Sequence, residues 1–164
     1  MEVFQLKKGM HLHLIGIGGT GISAIARVLL GRGYQVSGSD MKASQRMADL
    51  QSEGATVSVG HAAKNLNNPD AVIISSAIPK SNPEVALALD LKIPVLKRAD
   101  FLGMLMDGTI GVTVAGSHGK TTTTSMIAKI LMDANEDPNI VVGSEIPSLG
   151  VNGRAGKGLS LIHI

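Results

Sequence analysis

Cysteine and tryptophan are both missing from this 164-residue chain, tyrosine occurs once and phenylalanine twice. Without cysteine there can be no disulfide framework, thiolate zinc site or cysteine nucleophile, a usage that fits a cytoplasmic protein. Aromatic residues make up 2%, so a nucleic acid would find few rings to stack on. The lysines and arginines are scattered rather than striped and the net charge is only +2, so no nucleic acid partner is expected. Long apolar runs are lacking too. The opening MEVFQLKKGMHLHLIGIGG is broken by glycines before it could form a secretory h-region, and no segment approaches the ~20 apolar residues of a membrane span, so no membrane partner is expected.

Glycine, by contrast, is abundant at 20 residues, in a chain that is 44% hydrophobic. Val, Ile, Leu, Ala and Met must fill the interior, and the many glycines suit an α/β protein with repeated strand-to-helix turns. His11 to Ile17 reads as a buried parallel strand ending in glycines. Ile22, Ile25, Ala26, Val28 and Leu29 then recur at helical spacing until Gly31 and Gly33 stop the helix. Tyr34 to Ser39 is a second strand, and Ser44 can cap a helix that runs to about Glu53 with Gly54 as its stop. Further strands are expected at 56–59, 71–75 and 94–96, with helices opened by Asn82-Pro83 and at 99–106. Alternating β and α units make a parallel, Rossmann-like sheet. A break follows at Asp107-Gly108, after which a strand at 109–115, a loop, a helix at 120–135 and a strand at 139–142 begin a second unit.

Two glycine loops carry the chemistry. Gly16-Ile17-Gly18-Gly19-Thr20-Gly21 has the G-x-G-x-x-G spacing between an expected strand and helix, where backbone N–H groups can approach a diphosphate at the positive helix end. Asp40 closes the second strand, where a carboxylate can accept from a ribose. The plainer alternative is a glycine-rich turn with Asp40 as a helix cap. The second loop, AGSHGKTTTT at 115–124, lacks the first glycine of the general G-x-x-x-x-G-K-[ST] pattern because Val114 stands there. The shorter Gly116-Ser117-His118-Gly119-Lys120-Thr121-Thr122 remains. Its amides and helix start can surround a β-phosphate, Lys120 can neutralise β and γ oxygens, and Thr121 can ligate Mg²⁺. A polar helix start rich in capping threonines is the plainer alternative, but a lysine there calls for an anion.

Together GSHGKTTTT, the upstream IGIGGTGISAIA, GYQVSGSD, VIISSAI at 72–78 and KRADFLGMLM at 97–106 resemble the Mur ligase family, over nearly all of residues 10–158. The histidine of GSHGKT, with the GIGGTGIS form of the first loop, places the resemblance in the branch that joins L-alanine to UDP-N-acetylmuramate with ATP, in the cytoplasm, during peptidoglycan synthesis. The resemblance implies a Rossmann-like domain at 1–107 for the UDP-sugar and an incomplete P-loop-type ATP-binding central domain at 108–158. It implies that Gly18, Gly19, Thr20, Gly21, Asp40, Ser75, Ser76 and Ala77 line the UDP pocket. Gly116, Ser117, His118, Gly119, Lys120, Thr121 and Thr122 would bind ATP, with Lys120 catalytic and Thr121 on Mg²⁺. His118 could equally serve only to shape its loop, and His61, in GHAAKNL, lies at a family turn near the UDP pocket but also reads as a helix-start residue. His11 and His13 alternate on a strand and read as structural, and Met104, Met106, Met126 and Met132 read as core.

The final LSLIHI does not resemble the family, and CTG TCT CTT ATA CAC ATC, a transposon end used as a sequencing adapter, encodes it. Residues 159–164 are therefore expected to be foreign, and a genomic read across the Gly158 codon tests this. The rest of a ligase would lie beyond, so the chain by itself is expected not to ligate. Two other readings stay open. An NAD-dependent oxidoreductase would use the first loop and Asp40, which lies close to the ~20-residue spacing of a ribose-binding acid, but would leave GSHGKT without a purpose. A stand-alone nucleotide-binding module would use both loops without chemistry.

Overall fold

The computed structural model describes residues 4–147 and 149–158 and the backbone of 160–163; Leu159 and Ile164 of the expected foreign tail lie outside the described residues. Five strands, β1 (His11–Ile15), β2 (Gln35–Asp40), β3 (Thr56–Val59), β4 (Ala71–Ile74) and β5 (Val95–Lys97), form a wholly parallel sheet in the order β3-β2-β1-β4-β5. Between them run α1 (Thr20–Gly31), α2 (Gln45–Ser52), a 3-10 turn at Ala63–Asn65 and α3 (Pro83–Asp90), and α4 (Arg98–Met106) follows β5. This is the expected α/β architecture. Local chemistry sets the boundaries: the Ser44 hydroxyl accepts from Met47 N–H, and Asn82 Oδ1 accepts from Glu84 and Val85 N–H just ahead of Pro83.

The period of two along β1 sorts its side chains between two layers. Leu12 and Leu14 enter the main core with α1, Met47, Leu50, Phe101 and Leu105. His13 and Ile15 face the other way, Ile15 packing with Val72, Val85 and Ala88. His13 is fully buried and meets Glu84, also fully buried. The Glu84 carboxylate accepts from His13 Nε2 at 3.3 Å, Ser39 Oγ at 2.5 Å, Asn65 Nδ2 at 2.6 Å and Ala62 N at 3.0 Å. Burial by itself would raise its pKa, but the hydrogen bonds from His13, Ser39, Asn65 and Ala62 outweigh that and hold it at about 2.

A second, four-stranded sheet has the order β6-β9-β7-β8, from β6 (Gly111–Val114), β7 (Asn139–Ile146), β8 (Val151–Arg154) and β9 (Ser160–His163), with α5 (Lys120–Asp133) after β6. β6 starts two residues later than the sequence suggests, because Thr109 donates both its N–H and its hydroxyl to Met106 O and so closes α4. β7 runs past Val142 because β8 pairs with it antiparallel, a hairpin that no turn dipeptide announces. Met126 corrects the reading of the helical methionines as core: it is 60% exposed, while Met104, Met106 and Met132 pack against apolar clusters.

The second sheet docks on α1. Every residue of α1 from Ile22 to Leu29 is buried, since one side covers the parallel sheet and the other meets β7 and β8. Asn152 of β8 donates to Thr20 O and Ser23 Oγ, and its Oδ1 accepts from Arg27, which also donates to Glu53 at 2.9 Å. Backbone meets backbone at Gly153, where a Cβ would lie 2.3 Å from Ala24 O.

Two predictions follow from this packing. Gly153→Ala must prise β8 from α1 and should destabilise the 164-residue chain by about 1–3 kcal/mol in denaturant melts. Gly103→Ala in α4, where an added Cβ meets nothing within 4 Å, should instead be neutral or stabilising by up to ~1 kcal/mol. An unchanged Gly153→Ala midpoint would mean that the two sheets are not docked this way. The second concerns acid. Because the folded pKa of Glu84 lies below the 4.5 of an unfolded carboxylate, its stabilisation is complete only above that value and is lost as pH falls toward about 2. Glu84→Gln should lower stability at pH 7 and flatten the acid limb between about pH 4.5 and 2; parallel pH profiles for the two proteins would contradict this.

Candidate functional site

In an open parallel sheet, ligands sit beyond the carboxyl ends of the strands where the strand order reverses. Here that point lies between β1 and β4, and the loops leaving these strands are Gly16–Gly21 and Ser75–Ile78. A cleft of ≈ 350 Å³ between them is lined by Gly16, Gly19, Thr20, Gly21, Ile22, Ser75, Ser76, Arg98 and Gly143. The start of α1, with Gly19 as its N-cap, lines this cleft. Gly19 N–H donates to Gly16 O, and the amides of the helix's first turn, which have no partner within the helix, favour an anion.

Gly19, Thr20, Gly21, Ser75 and Ser76 are thus brought together as expected, while Gly18, Asp40 and Ala77 are not in the lining of this cleft. Ala77 N–H is turned toward the Ser75 hydroxyl at 3.4 Å. Asp40 supports the loop: its Oδ2 accepts from Gly18 N–H at 3.0 Å, and the cap of α2 is Ser44, not Asp40. The loop start is held as well, since Gly16 and Ile17 N–H both donate to Ser39 O. At the same end of the sheet, Gly60 N–H donates to Asp40 O, and His61 Nδ1 lies 2.8 Å from Ser39 Oγ.

Arg98 escaped the sequence reading. It opens α4 after β5, remote in sequence from the glycine loop, yet its guanidinium lies where a Cβ on Gly21 would come within 3.0 Å of Nη1. A fixed cation beside a helix N-terminus suits a diphosphate. The only signal was a charged residue between the strand expected at 94–96 and the helix expected at 99–106, and the long sequence separation hid its role. Gly143, from β7 of the second sheet, was equally invisible, because its presence depends on how that sheet docks on α1.

The second loop stands apart from this cleft. Gly119 is the N-cap of α5 and adopts φ +77°, a left-handed conformation that glycine takes without strain and that turns the chain from loop into helix. Lys120 Nζ donates to Gly116 O, so its ammonium spans the loop. Ser117 and His118 are exposed, with Gly116 and Gly119, as a loop open to solvent. Thr121 and Thr122 line a larger hollow of ≈ 620 Å³ with Ser125, Met126, Lys129, Ile130, Glu145 and Pro147. Thr121 Oγ1 accepts from Ser144 Oγ at 3.5 Å. Among the described residues no three His, Asp or Glu side chains converge as a metal cage. A phosphate-bound Mg²⁺ needs only one or two protein oxygens, and the Thr121 hydroxyl at the helix start suits that role.

The sequence model described as Mur ligase family, catalytic domain, matches residues 11–109. The UDP-N-acetylmuramate–L-alanine ligase of Geobacter sp. (strain M21) is 51% identical over 151 residues, 92% of this chain and 33% of that protein. Among solved structures, the UDP-N-acetylmuramate-alanine ligase of Thermotoga maritima superposes with a TM-score of 0.86 at 31% identity, covering 94% of this chain and 37% of that one. The UDP-N-acetylmuramate:L-alanyl-gamma-D-glutamyl-meso-diaminopimelate ligase of Neisseria meningitides gives a TM-score of 0.86 at 28% identity, covering 94% and 52%. The chain spans about a third of the length of the curated relatives it matches. With a glycine cleft at the reversal point of its parallel sheet and a family match over more than half its length, this chain belongs to the Mur ligase family.

Proposed function

We propose that this chain is the part of a UDP-N-acetylmuramate–L-alanine ligase that holds both nucleotides. The observation that carries the reading is two separate glycine loops in one chain, each opening a helix, one with Gly19 as the N-cap of α1 and one with Gly119 as the N-cap of α5. A nicotinamide oxidoreductase has use for the first only. Residues 1–107 would take the UDP-sugar and 108–158 would begin the central ATP-binding domain.

In the first cradle, the amides of Thr20 and Gly21 and the Arg98 guanidinium would neutralise the UDP diphosphate, with Ser75 and Ser76 donating hydroxyls from the opposite wall. Asp40 would act by bracing the loop through Gly18. In the second, Gly116–Gly119 would surround the β-phosphate, and Lys120 would leave the Gly116 carbonyl for the β and γ oxygens. Mg²⁺, carried on Thr121 and the phosphates, would neutralise charge on the transferring group.

A carboxylate is a poor acyl donor because its oxygen does not leave. The lactyl carboxylate of the sugar would therefore attack the γ-phosphorus, expelling ADP and giving an acyl phosphate. The L-alanine amine would then attack the acyl carbon, and collapse of the tetrahedral intermediate would release phosphate and, after loss of the amine proton, leave the amide. Phosphoryl transfer rests mainly on positioning and charge neutralisation, so Lys120 carries much of the first step. In a full-length enzyme, Lys120→Ala would cost on the order of 3 kcal/mol or more of transition-state stabilisation.

Binding to the 164-residue chain tests the reading. UDP-N-acetylmuramate and ATP should bind independently by calorimetry, NADH should not bind, Arg98→Ala should weaken only the UDP-sugar, and Lys120→Ala only ATP. Binding of NADH at the first cradle, or indifference of ATP to Lys120→Ala, would overturn the assignment.

A further inference from the structure

Glu84 is fully buried, and it stands at the centre of an unbroken polar path through the α3 side of the first sheet. An ionised carboxylate can only accept hydrogen bonds, so all four of its partners must donate. Oε2 takes His13 Nε2–H and Ser39 Oγ–H, while Oε1 takes the Ala62 and Asn65 N–H groups. These choices propagate outward. Ser39 has one proton, and with that proton on Glu84 its oxygen must accept from His61 Nδ1 at 2.8 Å. A neutral His61 then carries its lone pair on Nε2. On the other branch, a neutral His13 that donates from Nε2 accepts at Nδ1 from Ser37 Oγ at 2.8 Å, and Ser37 in turn accepts from His11 Nε2 at 2.7 Å.

The same carboxylate holds the backbone of the turn after β3 at Ala62, and Asn65 bonds both Glu84 and Gly60 O. Ser39 is bonded at both ends, its hydroxyl to Glu84 and its carbonyl to the first two amides of the glycine loop. The group that orders the His61 turn is therefore one residue removed from the loop that starts the nucleotide cleft. His61 Nδ1 is 3.8 Å from Glu84 Oε2, so the charge reaches it through Ser39 rather than by a direct hydrogen bond.

We propose that Glu84 is a positioning residue of the nucleotide site: it pins the 60–65 turn, fixes His61 as the Nδ1–H tautomer through the Ser39 hydroxyl, and by holding Ser39 sets the carbonyl on which the glycine loop hangs. The role in binding rests on the UDP-sugar reading given above; the tautomer does not. Ser39→Ala cuts the relay and frees the strand residue whose carbonyl holds the glycine loop from its tie to Glu84, while leaving the other three donors to Glu84 in place. Glu84→Gln, if its amide oxygen stays on the Ala62 and Asn65 side, presents N–H donors to Ser39 and His13, which turns the Ser39 proton to His61 and inverts both rings.

Long-range ¹H–¹⁵N spectra of the ¹⁵N-histidine-labelled 164-residue chain read each ring's tautomer directly. The expected result is His61 as Nδ1–H and His13 as Nε2–H. In Ser39→Ala, His61 should lose this preference while His13 keeps it, and the Kd for UDP-N-acetylmuramate should rise on the order of tenfold. His61 found as Nε2–H in the unmodified chain, or unchanged in Ser39→Ala, overturns the relay. An unchanged Kd in Ser39→Ala overturns the role in binding. Should the unmodified chain show the expected tautomers yet bind no UDP-sugar, the functional reading fails together with the role in binding, and the relay alone stands. Because Ser39→Ala leaves the buried His13–Glu84 pair intact, the test survives even if Glu84→Gln does not fold.

Discussion

Helix α1 has no solvent face along its middle, and the arrangement around the first glycine loop follows from that. Its first turn must sit beyond β1 to present amides to the first cleft, and one flank must cover the parallel sheet. The remaining flank takes β7 and β8 of the second sheet, so the helix is apolar nearly all round, as a helix enclosed on both sides must be. Its one buried cation, Arg27, is tolerated because Glu53, Asp49 and Asn152 surround it, the last two from different elements and Asn152 from the second sheet. Gly143 reaches the first cleft only because β7 is anchored there.

Much of the fold could be read from local signals because local chemistry causes it. The Ser44 cap, the Asn82-Pro83 start and the glycine stop at Gly54 are each decided by a few neighbouring residues, and each stands where the sequence places it. The first glycine loop is legible for the same reason, since its spacing encodes a turn and a helix start. β8 was not legible, because nothing in VNGR marks a strand until β7 and α1 supply partners.

The site was legible only where the residues are contiguous. Arg98 and Gly143 come from elements far along the chain, and Glu84 stands in the first turn of α3, where the helix dipole alone would account for an acid. Its actual partners lie on β1, β2 and the 60–65 turn, and no period in the sequence ties it to them. Asp40 shows the converse. Its position at the end of β2 was evident, but whether its carboxylate meets a ribose or the loop's own backbone depends on the closeness of Gly18, which only the three-dimensional arrangement gives.

The contact of Gly153 with the backbone of Ala24 also bears on how the molecule comes apart. Two sheets joined by a linker could open separately, each with its own transition. Sheets that share a helix cannot, because removing either one exposes an apolar flank of α1 and strips partners from Arg27 or from the Thr20 carbonyl. Opening either half therefore costs the packing of α1, and this couples the two sheets.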